Sequence, residues 1–466
     1  MPTKHVIIGN GPAGMHAIET IRKYEPSGSE IHLISAEPAY SRMVIPYWMA
    51  GSISEQHVLT ANDGFYQKNG VTPHLGKPVA GVDPNARRVT IEGGESLEFD
   101  TLLIATGSSA TKPPIPGTDL SGVHNLWTMD DARAVAPQSQ PGQKVLFVGA
   151  GFIGFIILNA LFKKGCRLAV VEMEKQVLPR MLDETSATLA TKWLQGKGVE
   201  VHTATTVTRI EAQGGKLIST LGSGQSVESD SVVIATGIKP NTGFLNGSGI
   251  VVDKGVVVDN FLRTNFPNIY AAGDCAQGPD MLGAQSTIHA IQPTAIDHGR
   301  IAGANMAGKN VAYDGSLLMN VLDICGLQTA SFGRWSDAGD VQTITNESRP
   351  IYRKIIFDRD RIVGAILLGQ TGDLSTLNDM GMIKGFIQTK TQLGEWKTYL
   401  DNHPLDVRRA YIACGVATKL LSKTLLPEPT DDLGYRHQDA RPDSVVDRGP
   451  HHEVFAKTLA EVKAGG

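Results

Sequence analysis

The chain has 466 residues, a length that at roughly 150 residues per domain predicts about three domains. Hydrophobic residues are 41% and charged residues 19% of the total, proportions that exclude wholesale disorder. Forty-three basic against 47 acidic side chains leave a net charge of −4, with no basic surplus to draw nucleic acid or an anionic membrane. Four cysteines, Cys166, Cys275, Cys325 and Cys414, form no CxxC pair. Their spacing argues against a disulfide scaffold, a zinc site or an iron–sulfur cluster held by this chain alone, so no metal is expected. The N-terminus shows no charged-then-apolar signal region, and the longest apolar stretch, 151–162, is too short to cross a bilayer. The sequence therefore reads as a soluble cytoplasmic protein with no membrane span.

In chain order, a degenerate repeat comes first. One copy starts with the apolar run His5-Val6-Ile7-Ile8, passes through Gly9-Asn10-Gly11-Pro12-Ala13-Gly14 into a helical pattern ending at Tyr24, and has a second strand over 31–34 before Glu37. It closes at Thr101-Leu102-Leu103-Ile104-Ala105-Thr106-Gly107. The other copy runs from Val145-Leu146-Phe147-Val148 through Gly149-Ala150-Gly151-Phe152-Ile153-Gly154, an apolar helix and a strand over 168–171 to Glu172, and closes at Val232-Val233-Ile234-Ala235-Thr236-Gly237. From Gly9 to Gly107 is 98 positions and from Gly149 to Gly237 is 88. Strand, Gly-rich turn, helix, strand, acid is a parallel βαβ unit used twice.

Past Pro240 the pattern changes. Residues 250–258 are Val-rich, 268–274 read as one more strand ending on Gly273-Asp274, and a helix is expected over about 293–306. The stretch 311–400 looks α+β, with strands near 320–324, 327–333, 352–357 and 362–368 and a helix around 379–388. An amphipathic helix is expected over 405–421. Beyond Leu426 a Pro/Asp/Arg/His-rich tail ends in a short helical pattern over 454–462, which is expected to dock on the chain itself, across a homodimer or on a partner.

Each glycine loop has the context that gives it meaning. The first glycine permits the tight turn, the second lets backbone approach a pyrophosphate, and the third lets helix pack on strand. The helix N-terminus then offers N–H groups and a partial positive charge to the phosphates. The acid accepts from ribose hydroxyls; Glu37 lies 28 residues after Gly9 and Glu172 lies 23 after Gly149. Two such sites imply two dinucleotides, economically a flavin and a nicotinamide.

The two fingerprints, the two Ala-Thr-Gly strand ends and Ala271-Ala272-Gly273-Asp274-Cys275 resemble the FAD-dependent pyridine nucleotide-disulfide oxidoreductases. Tyr40-Ser41-Arg42 resembles the branch holding nitrite reductase flavin domains, rubredoxin and ferredoxin reductases and NADH oxidases. The resemblance covers 4–310 and, more weakly, 311–400. It implies an α/β chain of two Rossmann-like domains, glutathione reductase-like, plus a C-terminal α+β domain. The FAD-binding domain would be 1–115 with 248–310, the NAD(H)-binding domain 116–247, the α+β interface domain 311–425 and the tail 426–466. It also implies that FAD is held by Gly9, Gly11, Pro12, Ala13, Gly14, Glu37, Arg42, Val79, Ala105, Thr106, Gly107, Gly273, Asp274, Thr294 and Ala295. NAD would be held by Gly149, Gly151, Phe152, Ile153, Gly154, Glu172 and Gly237.

Departures from the family narrow the chemistry. Where relatives carry a redox cysteine this chain has Met43, which forms neither thiolate nor disulfide. Where many relatives pair a Lys with a Glu beside the flavin, it has Tyr47 and Ile156, the two candidates for an apolar flavin face. Cys275 follows Asp274 where a cysteine without redox role is common, and His289 is either a proton donor or a structural histidine. Glu172-Met173-Glu174 repels a 2′-phosphate, favouring NAD(H). The expected activity is hydride transfer between NAD(H) and FAD, with single electrons passing to or from a separate iron–sulfur or other redox protein, as the flavin subunit of a larger oxidoreductase complex. The alternatives are a self-contained NADH oxidase reducing O2 and a non-catalytic NAD-binding flavoprotein.

Overall fold

The computed structural model describes residues 2–283, 285–422 and 425–426. The expected tail helix over 454–462 lies outside them. The sheets below all belong to one structural unit, residues 1–425.

The apolar run near the N-terminus forms the strand Thr3–Ile8 at the centre of a five-stranded parallel sheet. Across that sheet the order is Ile269–Ala271, Thr101–Ile104, Thr3–Ile8, Ser29–Ser35, Val71–Leu75. Val6, Ile7, Leu102 and Leu103 are all fully buried, as expected of a parallel sheet covered on both faces. The late strand Ile269–Ala271 and the helix Gln292–Met306 bring the chain back to this first domain. That helix crosses the helix Pro12–Tyr24 closely. A Cβ at Gly299 would lie 2.3 Å from the Ala13 carbonyl oxygen, and one at Gly303 would lie 2.6 Å from that of Ala17.

The second sheet repeats the first. Its order is Glu200–His202, Arg167–Val171, Lys144–Val148, Ser231–Ile234, Val123–Asn125, again all parallel. In each copy an antiparallel three-stranded meander precedes the strand that leads to Ala-Thr-Gly. The first is Val79–Asp83, Arg88–Ile91 and Ser96–Glu98; the second is Val207–Gln213, Lys216–Leu221 and Ser226–Ser229. The helix Phe152–Lys163 is apolar all round because its outer side is covered by the C-terminal sheet. There the side-chain oxygen of Asn159 accepts from the Cys325 amide at 3.2 Å.

The C-terminal sheet has five antiparallel strands, ordered Met319–Ile324, Leu327–Gly333, Arg361–Gln370, Ile351–Asp358, Asp340–Asn346. The edge strand Asp340–Asn346 was not expected; it is largely exposed and carries little apolar signal. The helix Glu395–Asn402 was missed too. The single helix expected over 405–421 is two, Val407–Ala413 and Val416–Ser422, broken where Gly415 adopts φ +63°. The Val-rich run 250–258 yields only the two-residue strand Val256–Val257.

Candidate functional site: two glycine cradles and the ribbon between them

The two glycine loops end at the N-caps of the helices Pro12–Tyr24 and Phe152–Lys163. Neither helix has a side-chain cap or an acidic residue in its first turn, so the terminal N–H groups are left for an anion. Gly9 must be glycine: its φ is +114°, and a Cβ would lie 2.0 Å from the Ala105 carbonyl oxygen. Gly14 and the turn pack as tightly, with a Cβ 2.0 Å from the Gly9 carbonyl oxygen. Gly11 differs. Its backbone is extended at φ −83° and ψ −174°, open to any residue, and nothing lies within 4 Å of where its Cβ would be. Gly151 repeats this at φ −84° and ψ 176°, again with open space. No contact among the described residues requires glycine at either position. Two glycines facing open space at uncapped helix starts fit two bound pyrophosphates.

Around the first cradle the expected residues converge. Arg42 Nη2 donates to Glu37 Oε2 at 2.9 Å, and the Tyr40 hydroxyl donates to the same oxygen at 2.7 Å. Burial raises the Tyr40 phenol pKa, which keeps it a donor. Arg42 Nε is buried without a partner, as is the side-chain oxygen of Asn10, whose amide nitrogen donates to the Tyr66 hydroxyl at 2.8 Å. Two orphaned polar atoms, one of them on the glycine loop itself, suit a polar ligand. Asp274 accepts from the Ser108 hydroxyl at 2.8 Å. Burial raises its carboxyl pKa, opposed by that bond and by the charge of Arg42. Gly273 adopts φ +77°, with its missing Cβ 3.3 Å from Ala13 Cβ and 3.5 Å from Ala295 Cβ, so the return segment packs onto the loop. Thr294 and Ala295 lie buried in the first turn of Gln292–Met306, which also has no side-chain cap. Val79 begins the first meander.

The two Ala-Thr-Gly ends are joined. Ser108–Ala110 pairs antiparallel with Ile238–Pro240, and the Thr106 hydroxyl donates to the Asn241 carbonyl at 2.7 Å. The Asn241 amide side chain donates back to the Thr106 carbonyl at 3.0 Å. Thr111 N–H donates to the Gly237 carbonyl at 2.9 Å. Strand ends that read as separate motifs thus form one ribbon between the two cradles.

At the second cradle Glu172 is 7% exposed. One carboxylate oxygen accepts from the Ala150 amide at 2.7 Å and the other from the Glu174 amide at 2.9 Å. The acid therefore fixes the glycine loop to its own strand end. Phe152 and Ile153 open the following helix, and a Cβ at Gly154 would lie 3.1 Å from the Ala235 Cβ. Tyr47 is 56% exposed on the short helix Ile45–Met49, which packs on Phe152–Lys163. Ile156 joins the apolar cluster there. Met43 is exposed.

No cysteine offers a thiolate. Cys275 is fully buried with its thiol 3.4 Å from the Ile104 and Ala272 carbonyl oxygens, and burial raises its pKa. Burial also pushes the Cys325 thiol up to about 12 and raises those of Cys166 and Cys414. His289 is buried with Nε2 2.9 Å from Asp280 Oδ2. Asp280 also lines a cavity of about 620 Å³ that contains Arg180 and Trp335 and touches neither glycine loop. Among the described residues no group of acids, histidines and cysteines is arranged to hold a metal, and no helix is long and apolar enough to cross a membrane.

Known proteins share this arrangement. The pyridine nucleotide-disulphide oxidoreductase family profile matches residues 3–299. The chain belongs to that family. The oxidoreductase also matches the rubredoxin NAD+ reductase C-terminal domain over residues 319–383. It is 30% identical over 414 residues to the NADH-dependent phenylglyoxylate dehydrogenase subunit epsilon of Aromatoleum evansii, an alignment covering 87% of this chain and 96% of that one. It is 30% identical over 388 residues to the assimilatory nitrate reductase electron transfer subunit of Bacillus subtilis, covering 80% of this chain but only 48% of that one. The covalent putidaredoxin reductase–putidaredoxin complex contains a chain of the same fold, with a TM-score of 0.79 at 19% identity over 89% of this chain and 99% of that one. The oxidoreductase is an NAD(H)-dependent flavoprotein, with FAD and NAD(H) as its two dinucleotides. Several residues that shape its first cradle escaped the sequence. Asn10 and Tyr40 lie inside quoted motifs, whereas Tyr66 and Ser108 lie in none.

Proposed function

We propose that this chain is the NAD-linked flavin subunit of a larger oxidoreductase. It exchanges hydride equivalents between NAD(H) and FAD, and single electrons with a separate iron–sulfur or other redox protein. FAD, when bound, supplies the step between two-electron and one-electron chemistry. The chain's own part is to bind and orient. Gly9 to Gly14 with Glu37, Arg42, Thr106, Gly107, Asp274 and the start of Gln292–Met306 hold FAD; Gly149 to Gly154 with Glu172 and Gly237 hold NAD(H). The ribbon at Ala-Thr-Gly fixes the two cradles relative to each other, which is the proximity that hydride transfer requires.

One observation carries the reading: every cysteine thiol is raised by burial, and the position where relatives carry a redox cysteine holds Met43. Electrons therefore leave through another molecule. The names of relatives support this, since one is an electron transfer subunit and another a subunit of an NADH-dependent dehydrogenase. A relative named NADH oxidase, 30% identical over 391 residues, favours a second reading in which O2 is the acceptor. Anaerobic titration with NADH followed by addition of a small iron–sulfur protein separates them. Uptake of two electrons per FAD and fast reoxidation by that protein, with slow O2 consumption, is expected. Rapid O2 consumption with no transfer to the protein would reverse the choice, and uptake of four electrons would point to a second redox group and sink both.

A further inference from the structure

Arg42 is caged. Its guanidinium carbon lies 5.4 Å from the ring centroid of Tyr40 and 5.5 Å from that of Trp127, both within cation–π reach. Glu37 takes one end, while the Nε stays buried and unpartnered. An arginine loses much rotamer entropy when a ligand orders it; one held between two rings has lost it beforehand.

Trp127 is itself held from three sides. Its indole N–H donates to the Ser108 carbonyl at 2.6 Å, and the Ser108 hydroxyl donates to Asp274. Its backbone N–H donates to Asp131 at 3.0 Å, part of the turn that starts the helix Met129–Val135 with a Thr128–Asp131 capping box. Two residues upstream, Val123–Asn125 is the edge strand of the second sheet. Met129 N–H in turn donates to the Tyr40 hydroxyl at 3.4 Å. A continuous chain of contacts thus runs from Glu37 through Arg42, Trp127 and Ser108 to Asp274. It joins the two acids of the first cradle through a residue that the sequence assigns to the other domain.

We propose that Trp127 is a positioning residue for FAD: it presents Arg42 to the dinucleotide. The proposal rests on the first cradle being the FAD site. It is tested by FAD affinity of the reconstituted apoprotein, read by flavin fluorescence, in a double-mutant cycle. Trp127→Ala is expected to weaken FAD roughly 10-fold, the range of a partly desolvated cation–π contact. Trp127→Phe, which keeps the ring face, is expected to stay within about 3-fold of the original chain. On an Arg42→Met background Trp127→Ala is expected to change little, because the residue acts through Arg42. Apoprotein melting temperatures identify a purely structural effect. Equal losses from Trp127→Ala with and without Arg42, or a melting drop that accounts for the loss, would overturn the positioning role. If the unaltered chain takes up no FAD, the site reading fails first.

Discussion

Replacing Gly11 separates folding from binding in one position. The φ of −83° suits alanine, and among the described residues nothing lies within 4 Å of the new Cβ. In the unfolded state Gly→Ala removes entropy worth about 0.4–1 kcal/mol. At an N-cap, alanine is worse than glycine by a comparable amount, about 0.5–1 kcal/mol. The two offset, so apoprotein stability should stay within about 1 kcal/mol of the original. On the proposed placement of the dinucleotide, the same Cβ would occupy the space its phosphates approach. Overpacking of that kind costs about 1–3 kcal/mol, or about 5- to 150-fold in Kd. Gly9→Ala is the contrast. Its backbone is left-handed and its Cβ would meet the Ala105 carbonyl at 2.0 Å, so the apoprotein itself should be destabilised. The assay strips FAD, compares apoprotein melting by circular dichroism, and titrates FAD back. Gly151→Ala, with the same open geometry, should stay yellow yet bind NADH more weakly. FAD affinity of Gly11→Ala within twofold of the original, or an apoprotein melting loss equal to that of Gly9→Ala, would refute the argument.

Glu172→Ala removes an acceptor for two backbone amides and, on the proposed reading, for the ribose, so kcat/KM for NADH should fall by about 1–3 kcal/mol while that for NADPH falls less; equal values for both nucleotides in the unaltered chain would remove the ribose assignment. His298 is buried and its pKa lies at about 3 instead of 6.5, first through burial and then through His289. Between those values the unfolded chain binds the proton and the native chain does not, so stability falls as pH falls below 6.5, by about 1.4 kcal/mol per unit. Urea unfolding at pH 7 and pH 5 should show this slope, and His298→Asn should flatten it; an unchanged slope would exclude His298 as its source.

Seven strands of the parallel sheets were legible because they are short, apolar towards their C-terminal ends and followed closely by glycine or an acid, whereas Val71–Leu75, Val123–Asn125 and Glu200–His202 were not read, because polar side chains interrupt them. Thr3–Ile8 and Lys144–Val148 are fully buried at their C-terminal ends, which gives continuous hydrophobic runs rather than alternation. The meanders were not read, because their strands are half exposed and their pattern is broken by turns such as Gly93-Gly94 and Gly214-Gly215. Within the first cradle, motif spacing located the glycines that lie against backbone: Gly9 against Ala105 and Gly14 against Gly9. It could not locate Trp127 or Ser108, whose roles come from side chains meeting across strands that are far apart in the chain. His289 shows the same limit: its place beside Asp280 depends on how the return segment folds, not on local pattern.

Tyr47 and Ile156, expected at the flavin face, make the last test. Ile156 sits partly buried in an apolar cluster with Val44, Trp48, Ile53 and Phe152, on the helix against which Ile45–Met49 packs. Tyr47, on that short helix, is 56% exposed. If these positions face each other as the lysine and glutamate of relatives do, a charge introduced at one needs its partner at the other. Ile156→Glu alone places a carboxylate among apolar side chains, which should cost about 3 kcal/mol. Tyr47→Lys alone leaves an exposed ammonium and should change stability by no more than about 0.5 kcal/mol. The double variant should recover at least about 1 kcal/mol relative to the sum of the single changes, read by urea unfolding of the FAD-loaded protein. Strict additivity would show that the two side chains do not meet. Recovery would show that the two positions meet and can hold an ion pair as well as the present apolar contact, a pair in which the carboxylate is not tolerated alone, because an unpaired buried charge is the worse alternative.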